Sequence, residues 1–315
     1  MNNEFFAHFK KKWDGHPDKD METQVILLCE GILENRVSAQ KKLKNWILGN
    51  ELNEYYKKQA ETFNNLLCTR VPPLTMFPVG SFFLEIKFQL DKPYISKGDE
   101  NLYILDNPIK KEKVFKLPFI SPSQWKGTLR SSIRQINNFK KREDKDEQMI
   151  RLFGNIKKEE DTKSLYKGIL RFYPTYFEKI GLEVINPHDR RTGAGTQPIY
   201  FETVPLNTYG IFRLLYPSFR LTQNLKEIYE TVTSDLNIII DGVDKMFSIY
   251  GFGAKVTSGF GRASIKNGKF TMRIDEKTQK KMNISEEIIN ISFKEFKELK
   301  SKIKDLEISG DENEK

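Results

Sequence analysis

Three stretches of the chain predict an α+β fold built on antiparallel sheet. Residues 82–90 alternate, with Phe82, Leu84, Ile86, Phe88 and Leu90 on one side and Glu85, Lys87 and Gln89 on the other. That is the pattern of a half-buried strand. From Ser121 a helix start is followed by apolar residues at helical spacing, and a second long apolar helix pattern opens at Asn224. Further strand-like runs flank these helices, so the order is helices, then strand–helix–strand twice.

In chain order, residues 1 to about 70 read as a helical extension. Val25, Leu28, Cys29 and Ile32 mark one apolar face, Val37, Leu43, Trp46 and Ile47 a second, and Tyr55, Phe63, Leu66 and Leu67 a third. Val71-Pro72-Pro73 is a stiff connector into the main domain, expected over 71–275. Val114–Ile120 reads as a short strand before the helix. That helix has Ser121 as cap, Pro122 at its first position and Gln124 where a capping box places it. Trp125, Leu129, Ile133 and Ile136 form its apolar stripe, and Lys126, Arg130 and Arg134 a neighbouring basic one. Gly127 in the first turns lowers helix propensity by about 1 kcal/mol relative to Ala, which points to a close backbone approach. Gly168–Tyr173, Ile199–Val204 and Gly210–Tyr216 read as strands. Ala263–Ile265 and Lys269–Ile274 read as a hairpin turned at Asn267-Gly268. A charged helix over about 285–304 and a polar tail make up the expected C-terminal segment, 276–315.

The charge balance narrows the partners. A net charge of +9 and a pI near 9.2 favour a polyanion, nucleic acid ahead of a membrane surface. Mean hydropathy is −0.57, and no apolar run reaches spanning length. The opening MNNEFFAHFKKKW lacks the continuous apolar core of a secretory signal. With only Cys29 and Cys68, both in helical stretches, neither a disulfide framework nor a thiolate metal site is expected, and a cytoplasmic location fits. Taken alone, the strand, turn and basic helix around Lys126 suit a phosphate at a helix start, and equally a solvated basic face.

Three segments in order carry a resemblance: LDNPI at 105–109 followed by PFISPSQWKGTLRS, RLFGN at 151–155, and the glycine loop GFGAKVTSGFGR at 251–262. Together they resemble the RAMP superfamily, the repeat-associated proteins that build type III CRISPR effector complexes in antiviral defence. The resemblance covers roughly residues 80 to 275. It implies a ferredoxin-like, RRM-related fold with insertions. It also implies that the chain grips a guide RNA by its backbone, leaves the bases free to pair with a target RNA, and assembles with other RAMP subunits. The contacts it implies are Ser123, Lys126, Arg130, Lys255, Ser258 and Arg262. Chemically these suit phosphates, because glycines let backbone amides approach and Lys and Arg add a salt-sensitive attraction. Such contacts position a strand without reading it. Arg190 and Arg191, in the long polar segment EVINPHDRRTGAGTQP, are further phosphate candidates. Phe119, Tyr173 and Tyr200 are candidates for base stacking as well as for the core.

Catalysis turns on one loop. In the repeated backbone subunits of such complexes a loop aspartate helps cut target RNA with a divalent metal, and Asp106 stands at the matching position. One carboxylate suffices to orient a hydrated Mg²⁺ or another divalent cation, and the RNA 2′-hydroxyl is then a ready nucleophile. Asp99 is a second acidic candidate. An Asp-Asn-Pro turn needs no catalysis to explain it, and INPHDRRTGAGTQPIYFETVP resembles a capping subunit that binds RNA without cutting. Both outcomes stand. His188 could act as a general acid or base in guide-RNA processing, though no partner histidine accompanies it. An interaction module that binds no RNA is the reading from a different class.

Overall fold

The computed structural model describes residues 72–98, 105, 107–137, 146–155, 166–187, 191–193, 195, 198–219, 221, 224–282, 286 and 288–307, with isolated positions between 41 and 61. Cys29, Cys68, Asp99, Asp106, His188 and Arg190 lie outside the described residues. The chain divides into two compact units.

The larger unit takes in residues 68–94, 119–176 and 209–315. Its frame is a sheet of β1 (Phe82–Leu90), β3 (Arg171–Phe172), β7 (Tyr209–Tyr216), β8 (Ala263–Arg273) and β9 (Ile288–Phe293), in the order β3-β7-β1-β8-β9. Both neighbours of β1 run antiparallel to it. With α1 (Pro122–Ile136) between β1 and β3, and α3 (Leu225–Lys245) between β7 and β8, the core connection is βαββαβ, the ferredoxin-like one. β9 adds an edge strand beyond β8.

The alternation of 82–90 survives intact: Phe82, Leu84, Ile86, Phe88 and Leu90 are all fully buried. The helices cover that face. Trp125 of α1 meets Phe212 of β7 edge-on at 5.1 Å, and Phe247, just beyond α3, lies 5.1 Å from Phe88. Each such ring, moved from water to the core, stabilises by roughly 1.5–3 kcal/mol. Ser132 of α1 donates to the Gly242 carbonyl at 2.7 Å, locking the two helices together. On the opposite face, Phe83 packs with Leu74 and Leu215, Arg213 pairs with Glu85 at 2.7 Å, and Lys87 sits 4.9 Å from the Tyr209 ring centre.

The RLFGN segment lies on α2 (Glu147–Phe153) and its C-cap glycine. Arg151 donates to both oxygens of Asp235 at 2.9 and 2.6 Å. Tyr216 and Gln148 donate to the same fully buried carboxylate at 2.7 and 2.9 Å. This motif therefore docks α2 on α3.

Four expected elements differ, one of them the strand expected over 168–173, of which only β3 (Arg171–Phe172) forms. Asn267-Gly268 is no hairpin turn: β8 runs straight through it, with a bulge opposite Lys87 and Phe88. Gly268 is there for space, because a Cβ would fall 2.1 Å from the Phe293 ring. Residues 114–120 yield only a two-residue strand, β2 (Phe119–Ile120), paired with β4 (Thr175–Tyr176). Glu112 folds back to accept from the Val114 and Phe115 amides, making a turn where a strand was expected. The expected C-terminal helix is preceded by β9 and begins later, as α5 (Phe296–Glu307), after the short α4 (Glu276–Met282).

The smaller unit gathers residues 1–67, 95–118 and 177–208. Its two later segments are the insertions that follow β1 and β4. The second contains the hairpin of β5 (Gly181–Ile185) and β6 (Ile199–Thr203), so the polar segment expected from Glu183 begins as strand. Described positions of the N-terminal extension touch this unit. Lys44 lies 3.5 Å from the Tyr200 ring centre, Asn53 accepts from the Ile180 amide at 3.0 Å, and Ile47 and Tyr56 are buried. Among the described residues, no helix is long and apolar enough to cross a membrane.

Candidate nucleic-acid interface

In the larger unit, the start of α1 and the glycine loop are joined through the exit of β1. Ser121 caps α1 by accepting from the Gln124 amide at 3.3 Å. Gln124 does not close a capping box. Its side-chain oxygen instead accepts from the Tyr94 hydroxyl at 3.1 Å. The Pro93 carbonyl, next to Tyr94, accepts from the Gly261 amide at 2.9 Å. Phe252 ties the three together from inside, 4.9 Å from Trp125 and 5.8 Å from Tyr94.

The loop itself is rigid by construction. A π-helical turn, Met246–Tyr250, ends α3 and delivers the chain to Gly251. Phe252 donates its amide to the Gly261 carbonyl at 3.0 Å, closing the base of the loop. At Gly261, φ is +69° and a Cβ would lie 1.8 Å from the Phe252 carbonyl oxygen, so no side chain fits. The short helical turn Val256–Ser258 follows Lys255, whose φ of +55° is rare for a non-glycine residue. Lys255 and Ser258 are exposed on this loop.

The sequence-predicted contacts divide by what holds them. Ser123 is exposed, with its hydroxyl 3.0 Å from that of the cap Ser121. Arg262 is less free to project: its Nε donates to Gly259 at 3.4 Å, and its guanidinium lies over that glycine. Lys126 is partly buried, and its pKa is pushed below the ordinary lysine value, chiefly by burial and then by Arg130 and Arg171. An anion placed there would favour the charged ammonium by direct attraction and offset the repulsion from the two guanidinium groups.

Arg171 had escaped sequence reasoning. It stands in a strand-like apolar run, and only the packing of β3 beside α1 reveals its neighbours. One of its terminal nitrogens, Nη1, donates to the carbonyls of Gly168, Ile169 and Leu170 at 2.7, 3.2 and 3.1 Å, fixing its guanidinium within electrostatic reach of Lys126. Between Lys126 and Arg130 on this helix, Gly127 is exposed, and a Cβ there would meet nothing within 4 Å. Among the described residues, no close approach explains this glycine.

The aromatic candidates are engaged by protein. Phe119 stacks on Tyr176 at 5.9 Å, Tyr173 packs edge-on against Phe83 at 5.7 Å, and Tyr200 lies beside Lys44 as described above.

In the smaller unit Arg191 is exposed in a turn. The two residues flanking Asp106 are held: Leu105 is buried, and Asn107 donates its side-chain amide to the Tyr200 carbonyl at 3.2 Å. Among the described residues no three His, Cys, Asp or Glu side chains converge as a metal cage. A hydrated Mg²⁺ needs fewer protein ligands than that.

A βαββαβ core with a glycine loop rigidly closed beside a basic helix defines a class, and the family model for the RAMP superfamily matches residues 88–264. The chain belongs to the RAMP superfamily. Comparison with curated proteins gives no match. Among solved structures the chain is similar to one in a type III-B Cmr-beta complex bound to cognate target RNA. That match has 16% identity and a TM-score of 0.45, covering 85% of this chain and 88% of the other. It is also similar to one in the Csm3-Csm4 subcomplex of a type III-A CRISPR-Cas interference complex, at 14% identity and a TM-score of 0.43, over 71% and 95% of the two chains. A third similarity is to a chain of a CRISPR RNA-guided surveillance complex, at 13% identity and a TM-score of 0.38, over 62% and 70%.

Proposed function

We propose that this protein is a guide-RNA-binding subunit of a type III CRISPR interference complex, acting in antiviral defence alongside other RAMP subunits. The observation that carries this reading is the basic surface of the larger unit. Lys126, Arg130 and Arg171 lie close enough together that burial and the two guanidinium groups lower the Lys126 pKa, and Lys255 and Ser258 are exposed on the closed glycine loop. Membership in the RAMP superfamily and the net charge of +9 support the same reading. The partner is a polyanion gripped by its backbone, so affinity should fall steeply and linearly on logarithmic axes as salt rises. Titrating guide RNA against the protein over a salt series tests this. Absence of binding at low salt would favour the interaction module that binds no RNA.

Cleavage of target RNA is the additional activity this reading carries, and it rests on Asp106 with a divalent cation. The residues on either side of Asp106 are held in place, as a positioned carboxylate requires. Asp106→Ala should abolish metal-dependent cuts next to this subunit while assembly and guide binding persist. Unchanged cutting would remove Asp106 from the mechanism. A histidine-dependent guide-RNA-processing step at His188 is the alternative enzymatic reading.

A further inference from the structure

We propose that Glu202 is a positioning residue that fixes the limb Asn107–Lys111, the segment that directly follows Asp106. Glu202 is fully buried in β6. Its carboxylate accepts from Lys111 Nζ at 2.8 Å and from the Ile109 amide at 3.2 Å. Its own amide donates to the Asn107 carbonyl at 3.0 Å. One residue therefore holds three positions of a segment that has no regular secondary structure, at 107, 109 and 111.

The Lys111 side chain is only 2% exposed, so both charges have left water. Such a pair is a poor source of stability, since apolar side chains of similar volume serve as well or better. What apolar side chains cannot supply is an acceptor for the Ile109 amide. The pair is thus explained by geometry: it sets the path of the limb along β6, with Asn107 also bonded to Tyr200. The consequence for cutting rests on the Asp106 reading above, whereas the positioning of the limb does not.

The test compares two double variants of the full-length protein by amide hydrogen exchange. Lys111→Met/Glu202→Leu removes the charges and the acceptor. It should keep a near-native melting temperature while the Ile109 amide exchanges at least tenfold faster and α1 and β1 stay protected. Lys111→Met/Glu202→Gln keeps an acceptor oxygen and should retain Ile109 protection. Wild-type protection of Ile109 in the folded Leu variant would overturn the proposal, as would its loss in the folded Gln variant. Should the Leu variant fail to fold, the Gln variant still decides. In the assembled complex, the Leu variant should lose target cutting with guide affinity kept. If Asp106→Ala itself cuts normally, the catalytic reading fails and the exchange result stands apart from it.

Discussion

Lys126 and Gly127 are adjacent and report on the same surface from opposite directions. Lys126 is an ammonium held below its usual pKa by burial and by two guanidinium groups, and an adjacent anion would favour its charged form. Gly127 is an exposed helical glycine with open space where its Cβ would be, so it forgoes helix propensity with no packing gain among the described residues. Gly127→Ala should therefore stabilise the isolated protein by about 1 kcal/mol in denaturant unfolding. The same change should weaken guide-RNA binding, because it raises the surface a backbone must approach. Stabilisation with unchanged affinity would show that the RNA does not pass over this turn. These two residues could be read from the sequence because a basic stripe and a misplaced glycine are local signals. Arg171, Asp235 and Glu202 could not: each is an ordinary charged residue in an apolar strand or helix pattern, and its role comes from a neighbour dozens of positions away.

Element by element, the local patterns held where one face of a segment is buried. β1 matches the predicted 82–90 because its alternation is complete, and α1 begins where Ser121 and Pro122 say it should. Reading failed where a turn signal competed with tertiary packing. Asn267-Gly268 is among the stronger hairpin dipeptides, yet β8 is held straight by β1 on one side and β9 on the other, and the glycine makes room for Phe293. Gly268→Ala should accordingly destabilise the protein by roughly 1–3 kcal/mol, as overpacking does, measurable by thermal or denaturant melting. A mutant as stable as wild type would mean the Phe293 ring moves aside freely. β9 was missed for a related reason: its alternation is short and sits beside a longer charged helical pattern.

At the level of the whole molecule, a ferredoxin-like core supplies the basic helix and glycine loop, while its two insertions build a second unit around the β5–β6 hairpin. The net charge of +9 then has a local expression in the larger unit, at α1 and the loop that Phe252 anchors beside it. The account stands on both elements gripping one RNA backbone. Charge reversal at each tests that most directly, by measuring guide-RNA affinity for Lys126→Glu and for Lys255→Glu across a salt series. Each variant should weaken binding by about 1 kcal/mol or more at low salt. Each should also flatten the salt dependence by roughly 0.7 in slope, the share of one phosphate on a single strand. Wild-type affinity and slope in both variants would contradict the account and reduce α1 and the glycine loop to a capped helix and a turn.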